Sequence, residues 1–335
     1  MKALQIPQPR RIRVIDVPES PAPGPGEILL RMHYVGFCGS DLNTWRGRNA
    51  MAKPAVIPGH EIGATIEAVG PDVPGQFCPG QIVTANPYTH CGHCASCREG
   101  RFNACEHNET LGVQRDGAMR GSLVVPWEKV IPAEGISLRD AALIEPMSVG
   151  FHAVARGQVS DTDTVLVIGC GMVGLGAVIR CLRRGATVIA ADIEAGKLQM
   201  ARDLGAAYTY DTGTPWEGLP APSVVIEAVG SPATYQLAIE RADFCGRVVC
   251  IGYPKSEVLL PPALIVKKEL AVMGSRNAAP TDFEAVIRSI RRGEAPLDRF
   301  VSGIVRPEEA QDALERWDAA PGHVFRILTQ WNTEN

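Results

Sequence analysis

The chain has 335 residues, of which 45% are hydrophobic, so it is long enough to bury the cores of two domains. Its formal net charge is -4 with both signs interspersed, which argues against a nucleic-acid partner because that partner requires a basic face. A small molecule is therefore the expected partner.

No segment of the sequence indicates export or membrane insertion. Residues 1–13 contain no apolar signal region, and the longest apolar run, residues 164–179, is too short to span a bilayer and carries four glycines. Ten cysteines in such a chain fit a reducing compartment, where thiols bind metal or stay reduced in the core. We expect a soluble, cytoplasmic protein with no membrane partner.

The first 150 residues or so have the texture of a β-rich domain with long loops. Short β-type runs at residues 27–32, 63–69 and 122–125 alternate with segments rich in proline and glycine. This part also contains four candidate metal ligands: Cys38, His60, Glu61 and Glu145. Each has a structural alternative, since a lone cysteine packs as a small hydrophobe and a carboxylate can begin a helix. Together they fit a catalytic zinc, with three protein ligands and one exchangeable position.

Four cysteines lie close together in one loop-like stretch. Cys91, Cys94, Cys97 and Cys105 have the spacing C-x2-C-x2-C-x7-C. Thiols two residues apart on a turning loop can reach one ion, and a fourth from the following segment completes a tetrahedron, so this spacing favours a closed structural zinc site over disulfides.

From residue 164 the pattern changes to strands that alternate with helices. Buried strands are predicted at residues 164–168, 187–191, 207–209, 224–228, 247–251 and 270–274, and helices at 195–204, 233–242 and 281–292. This alternation predicts a doubly wound α/β domain with a parallel sheet.

A glycine motif follows the first of these strands. Gly169, Gly171 and Gly174 form G-x-G-x-x-G between the strand and an apolar helix, which is the context that dinucleotide binding requires. Asp192 ends the next strand, where a carboxylate accepts hydrogen bonds from the adenine ribose and repels a 2′-phosphate, so NAD is favoured over NADP. Lys197 could flank the same ribose or be a solvated helix residue.

The chain resembles the zinc-dependent medium-chain alcohol dehydrogenases over almost its whole length. The motif Gly59-His60-Glu61, the four-cysteine lobe and the glycine motif carry the resemblance by their order. Residues 38–41 and 145–153 are similar to the polyol branch, which includes sorbitol, threonine, galactitol-phosphate and L-galactonate dehydrogenases, and residues 267–278 resemble its sugar-acid oxidoreductases.

The resemblance implies an α/β fold with two kinds of domain. Residues 1–147 form a GroES-like β-barrel catalytic domain, residues 148–275 a Rossmann domain, and residues 276–335 return to the catalytic domain. It also implies two zinc ions per chain. Cys38 and His60 bind the catalytic zinc directly, and Glu61 and Glu145 share the remaining positions with water or substrate. One carboxylate keeps the shell neutral and a second makes it negative, so we expect the two to exchange.

The resemblance implies a mechanism as well. The zinc lowers the pKa of the substrate hydroxyl, and hydride passes to NAD. Ser40 carries the hydroxyl proton away, and Asp41 braces the zinc shell by holding His60. Asn43 stands where many relatives have a histidine, so the proton relay is expected to pass through the cofactor ribose and water.

Further cofactor contacts are predicted at the ends of the strands and at the start of the first helix. The predicted positions are Gly169, Gly171, Met172, Val173, Gly174, Asp192, Lys197, Ala228, Val229, Gly230, Ile251, Gly252, Gly274 and Ser275.

The substrate is less sharply indicated. A polyol, sugar or sugar acid fits the resemblance, and a threonine-type amino alcohol is the alternative. An anionic group could be bound by an arginine from a polar loop after Cys38, which also contains Trp45, or from elsewhere in the chain; the candidates are Arg46, Arg48, Arg115, Arg120 and Arg276.

Two other classes share the expected architecture. A zinc-free NADPH quinone or enone reductase lacks the open zinc ligands and needs a basic residue at position 192, and an inert NAD-binding protein is expected to have lost the metal set. Relatives also pair the edges of their Rossmann sheets, so a homotetramer, or a homodimer, is expected, with residues 258–266 contributing to the contact.

Overall fold

The chain divides into two compact units. The computed structural model describes residues 1–332. Unit 1 contains Met1–Glu145 together with the C-terminal segment from Ala279, and unit 2 contains Pro146–Ala278.

The N-terminal part of unit 1 consists of short strands joined by loops. The strands are β1 (Lys2–Gln8), β2 (Arg11–Asp16), β3 (Glu27–Phe37), β4 (Glu61–Val69), β5 (Ile82–Ala85), β6 (Ser122–Pro126) and β7 (Val130–Pro132). The helices are α1 (Gly39–Trp45), α2 (Ala95–Arg98) and α3 (Leu138–Ala141), with 3₁₀ turns at Phe102–Ala104 and Trp127–Lys129, and α4 (Ile144–Arg156) begins at the end of unit 1 and continues into unit 2.

Unit 2 and the C-terminal segment complete the chain. Unit 2 contains the strands β8 (Thr164–Ile168), β9 (Thr187–Asp192), β10 (Tyr208–Asp211), β11 (Val224–Glu227), β12 (Arg247–Cys250) and β13 (Ala271–Gly274), and the helices α5 (Met172–Arg183), α6 (Ala195–Leu204), α7 (Pro232–Arg241) and α8 (Pro262–Lys268). The C-terminal segment contains α9 (Pro280–Arg291), α10 (Leu297–Phe300), β14 (Val301–Val305), α11 (Ala310–Ala319) and β15 (Arg326–Gln330), with 3₁₀ turns at Pro307–Glu309 and Pro321–His323.

Strand β3 organises the sheet of unit 1. The order is β14-β15-β3-β4-β5-β7, and β6 also pairs with β3. The sequence predicted this strand to end at residue 32, but it continues to Phe37. The polar residue His33 is accommodated in the strand because its ring forms a hydrogen bond to the neighbouring strand: His33 Nε2 lies 3.1 Å from Thr65 Oγ1 on β4. Because Ile327 of β15 pairs with Phe37, the C-terminal strand lies beside the segment that leads into Cys38.

The sheet of unit 2 is parallel and doubly wound. Its order is β10-β9-β8-β11-β12-β13, so the strand order reverses beside β8. Ligands of such sheets bind outside the carboxyl ends of the strands at this reversal. The predicted strands and helices of this unit match the observed elements to within a few residues; the largest shift is at β10, which runs over Tyr208–Asp211 rather than residues 207–209.

Each unit has its own hydrophobic core. One cluster includes Leu30, Ile62 and Leu314 from unit 1, and another includes Leu166, Ile189 and Val225 from unit 2. Among residues 1–332, no helix combines the length and apolar character needed to cross a membrane.

Candidate functional site

Three predicted metal ligands converge in unit 1. The Cys38 sulfur, a His60 ring nitrogen and a Glu61 carboxylate oxygen all lie within 4.8 Å of one another. Cys38 directly precedes α1, and His60 and Glu61 stand at the start of β4. Gly36 makes room for them, because it pairs with Glu61 across the sheet and a Cβ at position 36 would stand 2.2 Å from the carboxylate.

Several buried polar atoms at this point have no hydrogen-bond partner within residues 1–332. They are Ser40 Oγ, Asp41 Oδ1, His60 Nδ1 and Glu61 Oε1; the other carboxylate oxygen of Glu61 has only an ion pair, with Arg326. A buried polar atom without a partner costs about 1–3 kcal/mol, so a cluster of them requires an explanation. A thiolate, an imidazole and a carboxylate are the donor set that Zn²⁺ binds, and an ion with a bound water would satisfy these atoms. The residues present therefore fit a zinc ion.

Glu145 lies near this group and is held by a different partner. Its side chain is 3% exposed and accepts a hydrogen bond from the hydroxyl of Tyr88, which is also buried. The charge of Glu145 raises the pKa values of His60 and Glu61, so it is electrostatically part of the site. Glu61, by contrast, is the carboxylate in direct reach of Cys38 and His60, and Arg326 Nε lies 3.1 Å from its Oε2.

The pKa shifts show how strongly negative the site is without a cation. Burial, together with the charges of Cys38 and Glu145, raises the pKa of Glu61 well above its usual range, although Arg326 opposes the shift. Burial alone would lower the pKa of His60, but the charges of Cys38, Asp41 and Glu145 raise it well above its ordinary value. Burial would likewise raise the pKa of Cys38, and attraction to His60 makes the net shift downward. A dication would favour the ionised carboxylate and thiolate.

Asp41 has a different contact from the one predicted. We expected it to hold His60, but its Oδ2 accepts the backbone N–H of Cys38 at 2.8 Å, and no hydrogen bond joins it to the ring. Asp41 is the third residue of α1. Its carboxylate caps the helix by accepting the backbone N–H of Cys38, the residue just before the helix. It therefore fixes the backbone of Cys38 and acts on His60 only through its charge.

The four-cysteine lobe is assembled as predicted from its spacing. The sulfurs of Cys91, Cys94, Cys97 and Cys105 lie within 4.8 Å of one another, and all four are free of disulfides. Backbone N–H groups point at the sulfurs: Cys91 N is 3.3 Å from Cys105 Sγ and Cys94 N is 3.3 Å from Cys91 Sγ. A hydrogen bond from Ser96 and backbone N–H groups lower the pKa of Cys94 to about 5, whereas burial raises the pKa of Cys97 to about 11, so within the lobe the thiolate is favoured first at Cys94.

The glycine motif of unit 2 has a conformation that fits a bound phosphate. Gly169 has φ 93, and a Cβ on Gly174 would stand 1.7 Å from the carbonyl oxygen of Gly169, so the fold itself requires both glycines. No atom lies within 4 Å of the Cβ position of Gly171. This glycine therefore leaves open space in front of the N-terminus of α5, where Met172 is buried and Val173 is partly exposed.

Asp192 lies at the carboxyl end of β9 beside this turn. Its Oδ2 accepts the N–H of Cys170 at 2.7 Å, and its Oδ1 accepts the N–H groups of Ile193 and Glu194. Burial and the charge of Asp192 raise the pKa of the Cys170 thiol. The positive charge of Lys197 opposes this shift. Asp192 therefore faces the glycine turn.

The remaining predicted cofactor residues follow neighbouring strands at the same edge of the sheet. Ala228, Val229 and Gly230 follow β11, Ile251 and Gly252 follow β12, Gly274 ends β13, and Ser275 follows it. A Cβ on Gly252 would stand 2.1 Å from the backbone N of Gly230, so these two loops touch.

The arginines considered for an anionic substrate differ in their surroundings. Trp45, predicted on a polar loop, is instead the last residue of α1 and is 1% exposed, and Arg46 is paired with Asp318. Arg120 donates to the carbonyl of Gly117, whereas the Nε of half-buried Arg115 has no hydrogen-bond partner within the described chain.

Three further residues with buried polar contacts carry no motif: Tyr88, Glu227 and Arg326. Arg326 is far from Glu61 in the sequence, and Tyr88 precedes the cysteine lobe without any metal-ligand pattern. Glu227 is a buried carboxylate at the end of β11 whose Oε1 accepts the N–H groups of Val229 and Gly230 and the hydroxyl of Thr234. Only Glu227 had a visible signal, because an acidic residue in a buried apolar strand needs partners.

Family comparisons agree with this geometry. Residues 24–135 match the alcohol dehydrogenase GroES-like domain, and residues 173–292 match the zinc-binding dehydrogenase family. L-galactonate-5-dehydrogenase of Escherichia coli K12 is 34% identical over 292 residues, which is 85% of this chain and 86% of that protein. Sorbitol dehydrogenase of Bacillus subtilis strain 168 is 32% identical over 94% of this chain and 93% of its own.

Solved structures share the fold of the whole chain. A structure described as a short chain alcohol dehydrogenase from E. coli CFT073 complexed with NADH is 28% identical, with a TM-score of 0.90 over 98% of this chain and 99% of that chain. A putative zinc-binding dehydrogenase from Sinorhizobium meliloti 1021 bound to NADP is 27% identical, with a TM-score of 0.88 over 98% of both chains. Structures with this fold therefore occur with either dinucleotide.

Proposed function

We propose, since this chain belongs to the zinc-binding alcohol dehydrogenases, that it oxidises a secondary alcohol of a polyol, sugar or sugar acid with NAD as hydride acceptor. The observation that carries the proposal is the convergence of Cys38, His60 and Glu61 in a buried place where several polar atoms, among them His60 Nδ1 and Glu61 Oε1, have no hydrogen-bond partner within residues 1–332. Neither an inert dinucleotide-binding protein nor a zinc-free reductase needs this group, because its desolvation is costly unless a cation is bound.

Cys38 and His60 would hold the catalytic zinc, with Glu61 and Glu145 as alternating carboxylate ligands. When bound, zinc supplies Lewis acidity that lowers the pKa of a hydroxyl, and NAD supplies the hydride acceptor. The chain's own contribution is to hold two carboxylates near the zinc ligands with different partners: Arg326 forms an ion pair with Glu61, and the hydroxyl of Tyr88 donates to Glu145. Because one carboxylate, one thiolate and one imidazole already neutralise a zinc ion, only one of the two carboxylates would bind it at a time.

Ser40 is the proposed first acceptor of the substrate proton. Its hydroxyl is buried two residues after Cys38 and has no hydrogen-bond partner in the described part of the chain, so it is available to a substrate hydroxyl. A hydroxyl can accept one proton while donating its own, which suits a relay. Asn43 cannot continue that relay by proton exchange, which supports a route through water or the cofactor ribose.

The metal proposal is tested by Cys38→Ser. We expect the variant to lose the catalytic zinc while the lobe zinc remains, and turnover to fall at least about 100-fold, because even changes outside the ligand shell cost up to that much. Zinc per chain and NADH formation are the two measurements. Cys78→Ser is the matched control, since Cys78 is exposed and outside both clusters. Full turnover in the Cys38→Ser variant would refute the proposal.

Asp192 supports NAD rather than NADP. A carboxylate at this position can bind the ribose hydroxyls and repels a 2′-phosphate. We expect Asp192→Asn to lower the ratio of kcat/KM for NAD over NADP at least about tenfold, which corresponds to about 1.4 kcal/mol. Asp243→Asn, which changes an exposed aspartate before β12, should leave the ratio unchanged. An unchanged ratio in the Asp192 variant would exclude this residue as the selector.

The substrate class is tested by a panel. Sugar acids, polyols, sugar phosphates and threonine-type amino alcohols are compared by kcat/KM, with NADH formation as the readout. The similarity to L-galactonate-5-dehydrogenase and sorbitol dehydrogenase favours the first two classes. A preference for the amino alcohol would replace the proposal with the alternative of the same branch. Arg115, whose Nε has no hydrogen-bond partner in the described chain, is the proposed contact for a substrate anion.

We also propose that the chain forms a homotetramer, or failing that a homodimer, through the free edge of the unit 2 sheet. β13 pairs only with β12 within residues 1–332, and Val272 on this strand is 40% exposed. Leu259 and Val266, in the segment before it, are 80% and 79% exposed. An exposed apolar edge strand is a surface that a second copy can cover.

A further inference from the structure

Two histidines on the four-cysteine lobe are not used by the closed zinc site. His93 follows Cys91 by two residues, and His107 follows Cys105 by two residues. Both side chains are exposed, yet their rings lie together, with centroids 6.0 Å apart. The Cys91 sulfur and one nitrogen from each ring all lie within 4.8 Å of one another.

The orientation of His93 suits a metal ligand. Its Nδ1 lies 2.9 Å from the carbonyl oxygen of Cys91. A carbonyl only accepts, so Nδ1 carries the proton and Nε2 keeps a free lone pair. Metal-binding histidines are commonly oriented in this way by a backbone carbonyl. Arg98, the nearby cation, donates to the backbone carbonyl of His93 and leaves the ring free.

Cys91 is the lobe thiol that solvent reaches. Cys94, Cys97 and Cys105 are 7%, 5% and 0% exposed, whereas Cys91 is only half-buried. The side of the lobe that carries the two imidazoles is therefore also the side on which a sulfur is accessible. A thiolate has lone pairs enough to bind two ions, and two imidazoles, one thiolate and a water complete a tetrahedron.

The charge of the closed site favours a second cation. Zn²⁺ with four thiolates has a net charge of about -2. A second dication bound by neutral imidazoles beside Cys91 partly cancels that charge. Exposed ligands hold an ion weakly, so this ion should exchange faster than the enclosed one.

We propose that His93, His107 and the Cys91 thiolate form a second, exchangeable zinc site on the outer face of the lobe, bridged to the closed site through Cys91. The proposal rests on a zinc ion in the closed four-cysteine site. Such a site places an incoming ion against the one accessible thiol, so it is also the entry route for zinc into the lobe.

The test is a zinc titration of the full-length protein. Loosely bound metal is first removed with a weak chelator, and Zn²⁺ uptake is then followed by competition with a chromophoric indicator. We expect the unchanged protein to bind one zinc more per chain than the double variant His93→Asn/His107→Asn. His90→Asn is the matched control, because this exposed histidine lies on the same lobe and outside the cluster.

Two results would overturn the proposal: equal zinc uptake by the double variant and the unchanged protein, or loss of the extra zinc in the His90→Asn control. If the closed four-cysteine site did not bind zinc, the result would be different again, because the double variant would then retain only the catalytic zinc. A second measurement uses Co²⁺, whose bridging thiolate gives a sulfur-to-cobalt absorption band. The third equivalent should increase that band in the unchanged protein and not in the double variant, and turnover should be unaffected in both.

Discussion

The two carboxylates of the candidate zinc site differ in their partners rather than in their chemistry. Glu61 is 0% exposed and faces the guanidinium of Arg326, while Glu145 accepts the hydroxyl of Tyr88. A neutral hydroxyl leaves the charge of Glu145 intact, whereas Arg326 cancels much of the charge of Glu61. We therefore propose that Tyr88 is a positioning residue, which would act on a bound metal through Glu145.

Tyr88→Phe tests this role. Loss of the hydroxyl frees one oxygen of Glu145, so we expect the catalytic zinc to be retained about 10- to 100-fold less tightly, as is usual when an outer-shell partner is removed. The measurement is zinc release to a chelator, together with kcat and KM measured separately. Tyr210→Phe removes a comparable hydrogen bond, to the carbonyl of Thr214 in unit 2, and should not change zinc affinity. Unchanged zinc retention in the Tyr88 variant would show that the contact is only structural.

At the scale of elements, one aspartate ties together the starts of three strands in unit 2. Asp163 precedes β8, and its Oδ1 accepts the hydroxyl of Ser223, just before β11, at 2.7 Å, and the guanidinium of Arg247 at the start of β12. Its Oδ2 accepts the N–H of Ser160 at 2.7 Å. These bonds fix the relative positions of the strands at the end opposite the cofactor residues.

The same contacts make the stability of unit 2 depend on pH. Burial would raise the pKa of Asp163, but the Ser223 hydroxyl, the Ser160 N–H and the Arg247 charge outweigh it and lower the pKa below 3.8. A carboxyl with a depressed pKa in the folded state stabilises the fold above its unfolded pKa, and the stabilisation is lost as the pH falls through the folded value.

We therefore expect Asp163→Asn to lower the free energy of unfolding by about 1–3 kcal/mol at pH 7, and by progressively less as the pH falls below 3.8 and through the lower folded pKa, where the native carboxyl becomes protonated too. Urea unfolding across this pH range measures this. Asp161→Asn changes an exposed residue of the same turn and should stay within about 0.5 kcal/mol. A destabilisation that does not diminish at low pH would show that packing, not charge, is responsible.

At the scale of the whole molecule, the two kinds of candidate site belong to different units. The converging metal ligands lie in unit 1, and the predicted dinucleotide residues lie in unit 2. Each unit has a core of its own, and unit 2 has in addition an apolar sheet edge at β13. Polar residues usually cover such an edge in a monomer.

Val272→Lys tests whether this edge joins copies of the chain. A charged side chain opposes strand pairing across a two-fold axis, so we expect a smaller assembly, measured by light scattering after gel filtration. The far-ultraviolet circular dichroism should not change. Val69→Lys is the control, since Val69 is 38% exposed on β4 of unit 1 and should leave the mass unaltered. An unchanged mass in the Val272 variant would place the contact elsewhere.

Local patterns were sufficient for most of the fold. The alternation of apolar strands and amphipathic helices in unit 2 predicted most of its elements, because the central strands β8, β9 and β11 are buried on both faces and the helix α5 on one. In unit 1 the same reasoning ended β3 too early, because the partner that satisfies His33 comes from another strand.

The sequence by itself determined which residues are the candidates for the chemistry: the four lobe cysteines, the glycine motif with Asp192, and the set Cys38, His60, Glu61 and Glu145. Their types and short spacings follow from what zinc and a pyrophosphate require, so a local pattern is enough. Only the tertiary structure decided that Glu61 faces Arg326, that Glu145 is held by Tyr88, and that Asp41 caps α1 instead of binding His60. Which groups meet is set by strand pairing between distant segments, and each buried charge takes the partner that this pairing places nearest.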